Sequence, residues 1–336
     1  MGPIERRQFL VAAGALVIAP LTAQAQPAKR TYRVAAVLTT SPIAEMTGPE
    51  PEHPLIRAFV RELRTLGYVE GENLILERRT AGGKPERYPG IIAELVKLHM
   101  DVIATAGGSG LLASAKGVWD GVPVVMFGSN NPVPLGLAKS LAHPDGNLTG
   151  LLALPGPGIA AKRLQLLKEA IPGLVRVAYL STQAVWEAAI TKPIRDAAPA
   201  MGIELLHAEH KPSDLEATFS ALERIHPQAL FVSIGTESFG QRRQIVEFAK
   251  KAQLPGSYPF APMVDLGGLM SYSMSISDLG RRAAHYVDKI LKGAKPGDLP
   301  IEGPAKFTLA INLKAAKELG IVIPQSLLLQ ADRVIE

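Results

Sequence analysis

The chain has no cysteine. Disulfides, thiolate metal sites and cysteine nucleophiles are therefore excluded, including the paired cysteines of a two-cysteine racemase. Aromatic residues make up only 5% of the 336 residues, and no stretch interleaves them with a basic stripe. Charge of one sign barely dominates: 36 Lys and Arg face 31 Asp and Glu, a net +5. The two signs are intermixed, as in Glu62-Leu63-Arg64 and Glu77-Arg78-Arg79, so no nucleic-acid partner is expected. The seven histidines are scattered and none pairs with another at i, i+4, so no metal site is expected. Gly108-Ser109-Gly110-Leu111-Leu112-Ala113 fits a dinucleotide fingerprint, yet it follows the third strand and no acidic residue ends the next one. No cofactor is expected. Gly107 to Gly110 misses the nucleophile elbow because position 111 is Leu, and no catalytic residue is assigned.

Long apolar runs are also lacking. Phe9 to Leu21 is 13 residues long, short of the roughly 20 that span a bilayer. It follows Arg6-Arg7-Gln8, and Ala23-Gln24-Ala25 follows it in turn as a small-x-small cleavage site. Residues 1–25 therefore read as an export signal, cleaved after Ala25, and the expected location is the periplasm. The arginine pair resembles a twin-arginine signal, with an ordinary Sec signal as the alternative. About 311 residues remain, more than one core usually supports, so two domains are expected.

Short apolar runs alternate with helical patterns. Arg33–Leu38, Asn73–Arg79, Asp101–Ala106 and Pro123–Phe127 read as strands of a first sheet. After a break near Asn147–Gly150 the series restarts, with strands Val175–Leu180, Ile203–Ala208 and Ala229–Ile234. Near-continuous apolar strands imply parallel sheets covered on both faces. The expected fold is α/β, two Rossmann-like doubly wound lobes. The tail, with a helix at Asp278–Leu291 and a strand-like Lys306–Asn312, implies more than one crossing between them.

Ligands of open parallel sheets bind beyond the carboxyl ends of the strands. The loops there carry Thr39 to Pro42, Gly107 to Gly110, Gly128 to Pro132, Ser181 to Gln183 and Gly235 to Ser238. All are rich in glycine, hydroxyl or amide groups, suited to a small anionic or zwitterionic solute. The candidate ligand-binding residues are Thr40, Ser41, Gly108, Ser109, Ser129, Asn130, Asn131, Gln183, Trp186, Thr236, Glu237 and Asp265. Ser109 and Asn131 are expected to hold the solute from the first lobe, and Gln183, Thr236 and Glu237 to clasp it from the second. Asn131-Pro132 fits a helix N-cap and first turn. Trp186 or Phe239 offers a stacking surface, although either serves equally as core or as an interface anchor.

Several segments together resemble the ABC transporter substrate-binding proteins that include the bacterial tryptophan/tyrosine uptake receptors. They are Leu66-Gly67-Tyr68-Val69-Glu70-Gly71-Glu72-Asn73, Pro134–Ala138 with Ser140–Gly150, Gly267–Tyr272, and Ile290–Pro296 with Ile311–Ala316. The resemblance implies a type I periplasmic-binding fold with three hinge crossings and an amino acid, often aromatic, as ligand. It also implies a membrane permease with its ATPase subunit as partners. On this reading lobe 1 is 26–150 plus 263–296, lobe 2 is 151–262 plus 297–336, and the protein is a monomer. Two segments depart from the family: Asn131-Pro132-Val133 stands where Asp-Pro-Val is usual, and Ala261–Asp265 lacks the usual Arg or Lys. A periplasmic sensor and a two-lobed hydrolase are the alternatives. A sugar-responsive repressor is not expected, because the export signal occupies the place of its DNA-binding helices.

Overall fold

A computed structural model describes residues 30–119, 121–153, 158–304 and 306–336, with the side chain of Ser109 left out. The export signal and its cleavage site lie outside the described residues. The chain builds two lobes, each a mostly parallel sheet covered by helices.

The first sheet contains β1 (Tyr32–Leu38), β2 (Leu74–Thr80), β3 (Val102–Thr105), β4 (Val124–Ser129) and β5 (Leu148–Leu152) in the order β2-β1-β3-β4-β5, all parallel. Its helices in the first half of the chain are α1 (Pro54–Thr65), α2 (Tyr88–Lys97) and α3 (Ser109–Ser114). The second half supplies α4 (Gly158–Ala170), β6 (Arg176–Ser181), α5 (Gln183–Glu187), α6 (Lys192–Ala200), β7 (Glu204–Glu209), α7 (Leu215–Ile225) and β8 (Ala229–Val232). It continues through α8 (Thr236–Gly240), α9 (Arg242–Lys251), β9 (Gly256–Tyr258), α10 (Ala261–Asp265), β10 (Met270–Met274) and α11 (Ile276–Leu291). Strands β11 (Phe307–Asn312) and β12 (Arg333–Ile335) bracket α12 (Leu313–Glu318) and α13 (Gln325–Gln330). The second sheet runs β12-β11-β10-β9-β8-β6-β7, and β11 alone among these pairings lies antiparallel, to β10.

Three features differ from the sequence reading. The break placed near Asn147–Gly150 is a wholly buried strand, β5. Gly150 reads as punctuation, but it sits at φ +123°, and a Cβ there would lie 2.4 Å from the Met126 nitrogen. The chain passes too close to β4 for any other residue. Second, residues 263–275 do not sit with the first sheet: β10 pairs with β9 and β11, and only from Ile276 does the chain return, as α11 packs along α1. The Tyr68 hydroxyl seals that contact, donating to Asp288 at 2.9 Å. Third, residues 297–304 stay with the first lobe. The Thr149 hydroxyl donates to the Leu299 carbonyl at 2.7 Å, and Glu302 bridges to Leu151.

The helices start where side chains satisfy free backbone N–H groups. Asp214, Ser275 and Asn312 each accept from the third residue on, at 3.0, 3.1 and 3.0 Å. Among the described residues no helix is long and apolar enough to cross a membrane.

Candidate functional site

The chain passes between the lobes after β5, between β10 and α11, and before β11. A pocket of about 90 Å³ lies against all three passages, lined by Ala153, Met274 and Phe307. Its apolar walls include Ile159, Val185, Ile190 and Ile234. Its polar groups are Arg163, Tyr179, Thr191, Ser273 and Asn130. The parallel strands β6, β8 and β9 end here, as expected of a ligand site in an open sheet.

Among the described residues Arg163 is the only cationic side chain on this wall, and it is only 4% exposed. Its Nη2 donates to the carbonyls of Val232 and Ser257, both at 2.9 Å. The guanidinium carbon stands 4.2 Å from the centre of the Phe231 ring. Nε is buried with no hydrogen-bond partner, and among the described residues no carboxylate pairs with this side chain. Burial lowers its pKa to about 9, which still leaves it cationic at neutral pH. Buried charges in proteins are nearly always paired. The Ser273 hydroxyl on the same wall is likewise buried and unpartnered. Both are donors, so the pocket wall is chemically incomplete without an acceptor.

Sequence reasoning missed Arg163, which looks like half of a solvated Lys162-Arg163 pair. The signal was its spacing. Arg163 stands at i, i+3, i+4, i+7 with Leu166, Leu167 and Ala170, all buried, which places it on the inward stripe of α4.

The sequence-predicted residues are distributed as follows. Asn130 lines the pocket, next to Ser129, whose hydroxyl is buried and unpartnered. Asn131 is exposed and its Oδ1 accepts from Val133 N at 3.0 Å, starting a short 3₁₀ turn instead of an α-helix. Gly108 precedes α3 and lines no part of the pocket, as is true of Ser41, whose carbonyl accepts from Thr80 at 2.8 Å. Gln183 is exposed and donates to Glu187. Trp186 stacks on His207 at 4.6 Å and carries Arg195 at 5.3 Å, so its ring is engaged within the second lobe. Glu237 is in the first turn of α8. Asp265 pairs with Arg333 on the edge strand β12, away from the pocket lining.

Thr40 and Thr236 come together differently from the arrangement expected. Instead of flanking a solute, the Thr40 hydroxyl donates directly to the Thr236 carbonyl at 2.6 Å, joining the lobes. Around this bond lies a latch. Arg242 of α9 pairs with Glu45 of the first lobe at 2.8 Å, with side chains 7% and 15% exposed. Phe239 packs between His53 and Phe260, with centroids 5.0 and 5.2 Å away. It is therefore a contact between lobes. Burial, then the nearby Arg242 charge, lowers the His53 pKa to about 3, so its imidazole is neutral. Gly240 lets the lobes approach closely: a Cβ there would stand 2.8 Å from Thr40 Oγ1. Among the described residues no group of three His, Cys, Asp or Glu could hold a metal.

Comparison with known proteins adds a family. A family model described as ABC transporter substrate binding protein matches residues 54–335. A tyrosine-binding protein of Clostridioides difficile is 23% identical over 280 residues, covering 80% of this chain and 79% of that one. Among solved structures, a conserved domain protein of Vibrio cholerae has a TM-score of 0.78 at 24% identity, covering 91% of this chain and 100% of that one. An ABC domain from Streptococcus pneumonia in complex with L-Trp also has a TM-score of 0.78, at 21% identity and the same coverage. At these identities the solved structures establish the fold.

Proposed function

Because the chain belongs to the ABC transporter substrate-binding protein family, we propose that it is the exported solute receptor of an ABC importer. It closes two lobes on a small carboxylate, an amino acid or related and possibly aromatic compound, and delivers it to a membrane permease served by an ATPase subunit. The lobes on this reading are residues 32–153 with 276–304, and 158–275 with 306–336.

The observation that carries the reading is the buried, uncompensated Arg163 on the wall of a pocket at the hinge. A ligand carboxylate supplies the missing counter-charge, and charge-assisted hydrogen bonds of this kind are about twice as strong as neutral ones. Because the pocket touches all three passages, an occupant there contacts both lobes. A ligand shifts a conformational equilibrium only through contacts it makes better in one state. Asn130 and Ala153 from one side and Arg163 and Ser273 from the other supply such contacts. No nucleophile in the lining is paired with a base, so binding without chemistry is the simpler reading.

The test is thermal stabilisation of the chain against a panel of amino acids and other small carboxylates. A solute at 100 times its dissociation constant adds about 2.7 kcal/mol. Stabilisation by carboxylates and not by their methyl esters supports the reading. Turnover of a panel member, or stabilisation by the esters alone, overturns it.

A further inference from the structure

We infer that this pocket selects carboxylates that carry no ammonium group, such as aryl- or alkyl-alkanoates, over the corresponding amino acids. The inference rests on the proposed function and concerns the same pocket.

A zwitterion asks two things of its site: donors and positive charge at the carboxylate, acceptors and negative charge at the amine. The pocket supplies the first. Arg163 brings a full charge with an unpartnered Nε, and Ser273 an unpartnered hydroxyl. Of the second, the lining offers neutral oxygens and no negative charge. Among the described residues no carboxylate is part of the pocket lining; its polar members besides Arg163 include the neutral Asn130, Tyr179, Thr191 and Ser273.

Of the acidic groups on nearby elements, Glu45 is engaged by Arg242, Glu187 by Gln183, Asp265 by Arg333 and Glu302 by Arg282, and Glu237 of α8 lies outside the pocket lining. Four carbonyls close to the pocket already accept from side chains. Those of Val232 and Ser257 accept from Arg163, that of Val185 from Thr191 at 2.5 Å, and that of Ser273 from Thr308 at 3.3 Å.

Net charge decides between the two ligand types. A plain carboxylate and Arg163 form a neutral pair. A zwitterion leaves one uncompensated positive charge, together with ammonium protons that have lost their water, among Ile159, Val185, Ile190 and Ile234. Removing an ion from water without a partner is strongly unfavourable.

The experiment is calorimetric titration of the chain with matched pairs: 3-phenylpropionate and phenylalanine, indole-3-propionate and tryptophan, 4-methylpentanoate and leucine. We expect the deaminated acid of the best-binding pair to bind at least tenfold more tightly than its amino acid. Equal or tighter binding of the amino acids overturns this inference and leaves the carboxylate pocket standing. Binding by no member of any pair overturns both. As a second measurement, Asn130→Asp places a carboxylate in the pocket and is expected to shift the preference at least tenfold towards the amino acid. An unchanged or widened preference for the acid in that variant contradicts the charge argument.

Discussion

Arg163→Met removes a buried charge while keeping most of the side chain's volume. Relief of the desolvated cation opposes loss of its bonds to two carbonyls, so the unliganded chain should change in stability by less than about 2 kcal/mol. Affinity for a carboxylate should fall at least about 100-fold, or ~2.7 kcal/mol. Urea unfolding and calorimetry separate the two effects, and a large stability loss with unchanged affinity would make Arg163 purely structural. Glu45→Gln acts in the opposite way, leaving Arg242 without its counter-charge between the lobes, at a cost of about 3–5 kcal/mol. The double change to Met at both positions should recover most of that loss in urea unfolding. His53 adds a pH dependence. Its folded-state pKa, about 3, lies below the unfolded 6.5, so stability is full above pH 6.5 and falls as pH drops towards 3. The slope is at most about 1.4 kcal/mol per pH unit, and His53→Phe should flatten the stability–pH curve across that window. At this scale the sequence was least informative. Hydroxyl-rich loops were visible, and Asn130 does reach the pocket. The cation that gives the pocket its chemistry was hidden, because helical spacing places Arg163 inward while its neighbour Lys162 suggests solvent.

The strands and helices were more legible, since buried parallel strands write themselves as apolar runs. Strands β1, β2, β3, β4, β6, β7, β8 and β11 begin within a residue of where hydrophobicity places them. Four strands escaped, among them the short edge strand β12, and three of them did so for clear physical reasons. In β5, Gly150 imitates a turn. The short β9, Gly-Ser-Tyr, is buried yet has little apolar character. β10 alternates Met, Ser, Tyr and Ser, with Ser271 and Ser273 buried despite being polar. That difference moves a lobe boundary, because β10 lies inside the second sheet, between β9 and β11. Among loop elements, α8 and the segment after β1 meet at Gly240 and Thr40. Gly240→Ala forces them apart, since the new Cβ would stand 2.8 Å from Thr40 Oγ1. A shift of Thr40 and loss of its bond to Thr236 should cost about 1–3 kcal/mol and raise the dissociation constant for solute, read by calorimetry. Unchanged affinity would show that this contact plays no part in closure.

At the scale of the whole molecule, two sheets joined by three passages form a hinge. The pocket lies against the passages, while the Thr40–Thr236 and Glu45–Arg242 contacts join the lobes elsewhere. On the proposed function, a ligand that neutralises Arg163 beside the passages and the contacts that join the lobes would favour the same arrangement. Two sheets and repeated crossings follow from a restart of the strand–helix series, which is why this level was the most readable. The central claim is that a lone buried guanidinium recognises a carboxylate. It is tested most directly by titrating the chain with the tightest-binding carboxylate and with its primary amide, which matches it in shape and lacks the charge. The account predicts that the amide binds at least about 100-fold more weakly; equal affinities would contradict it.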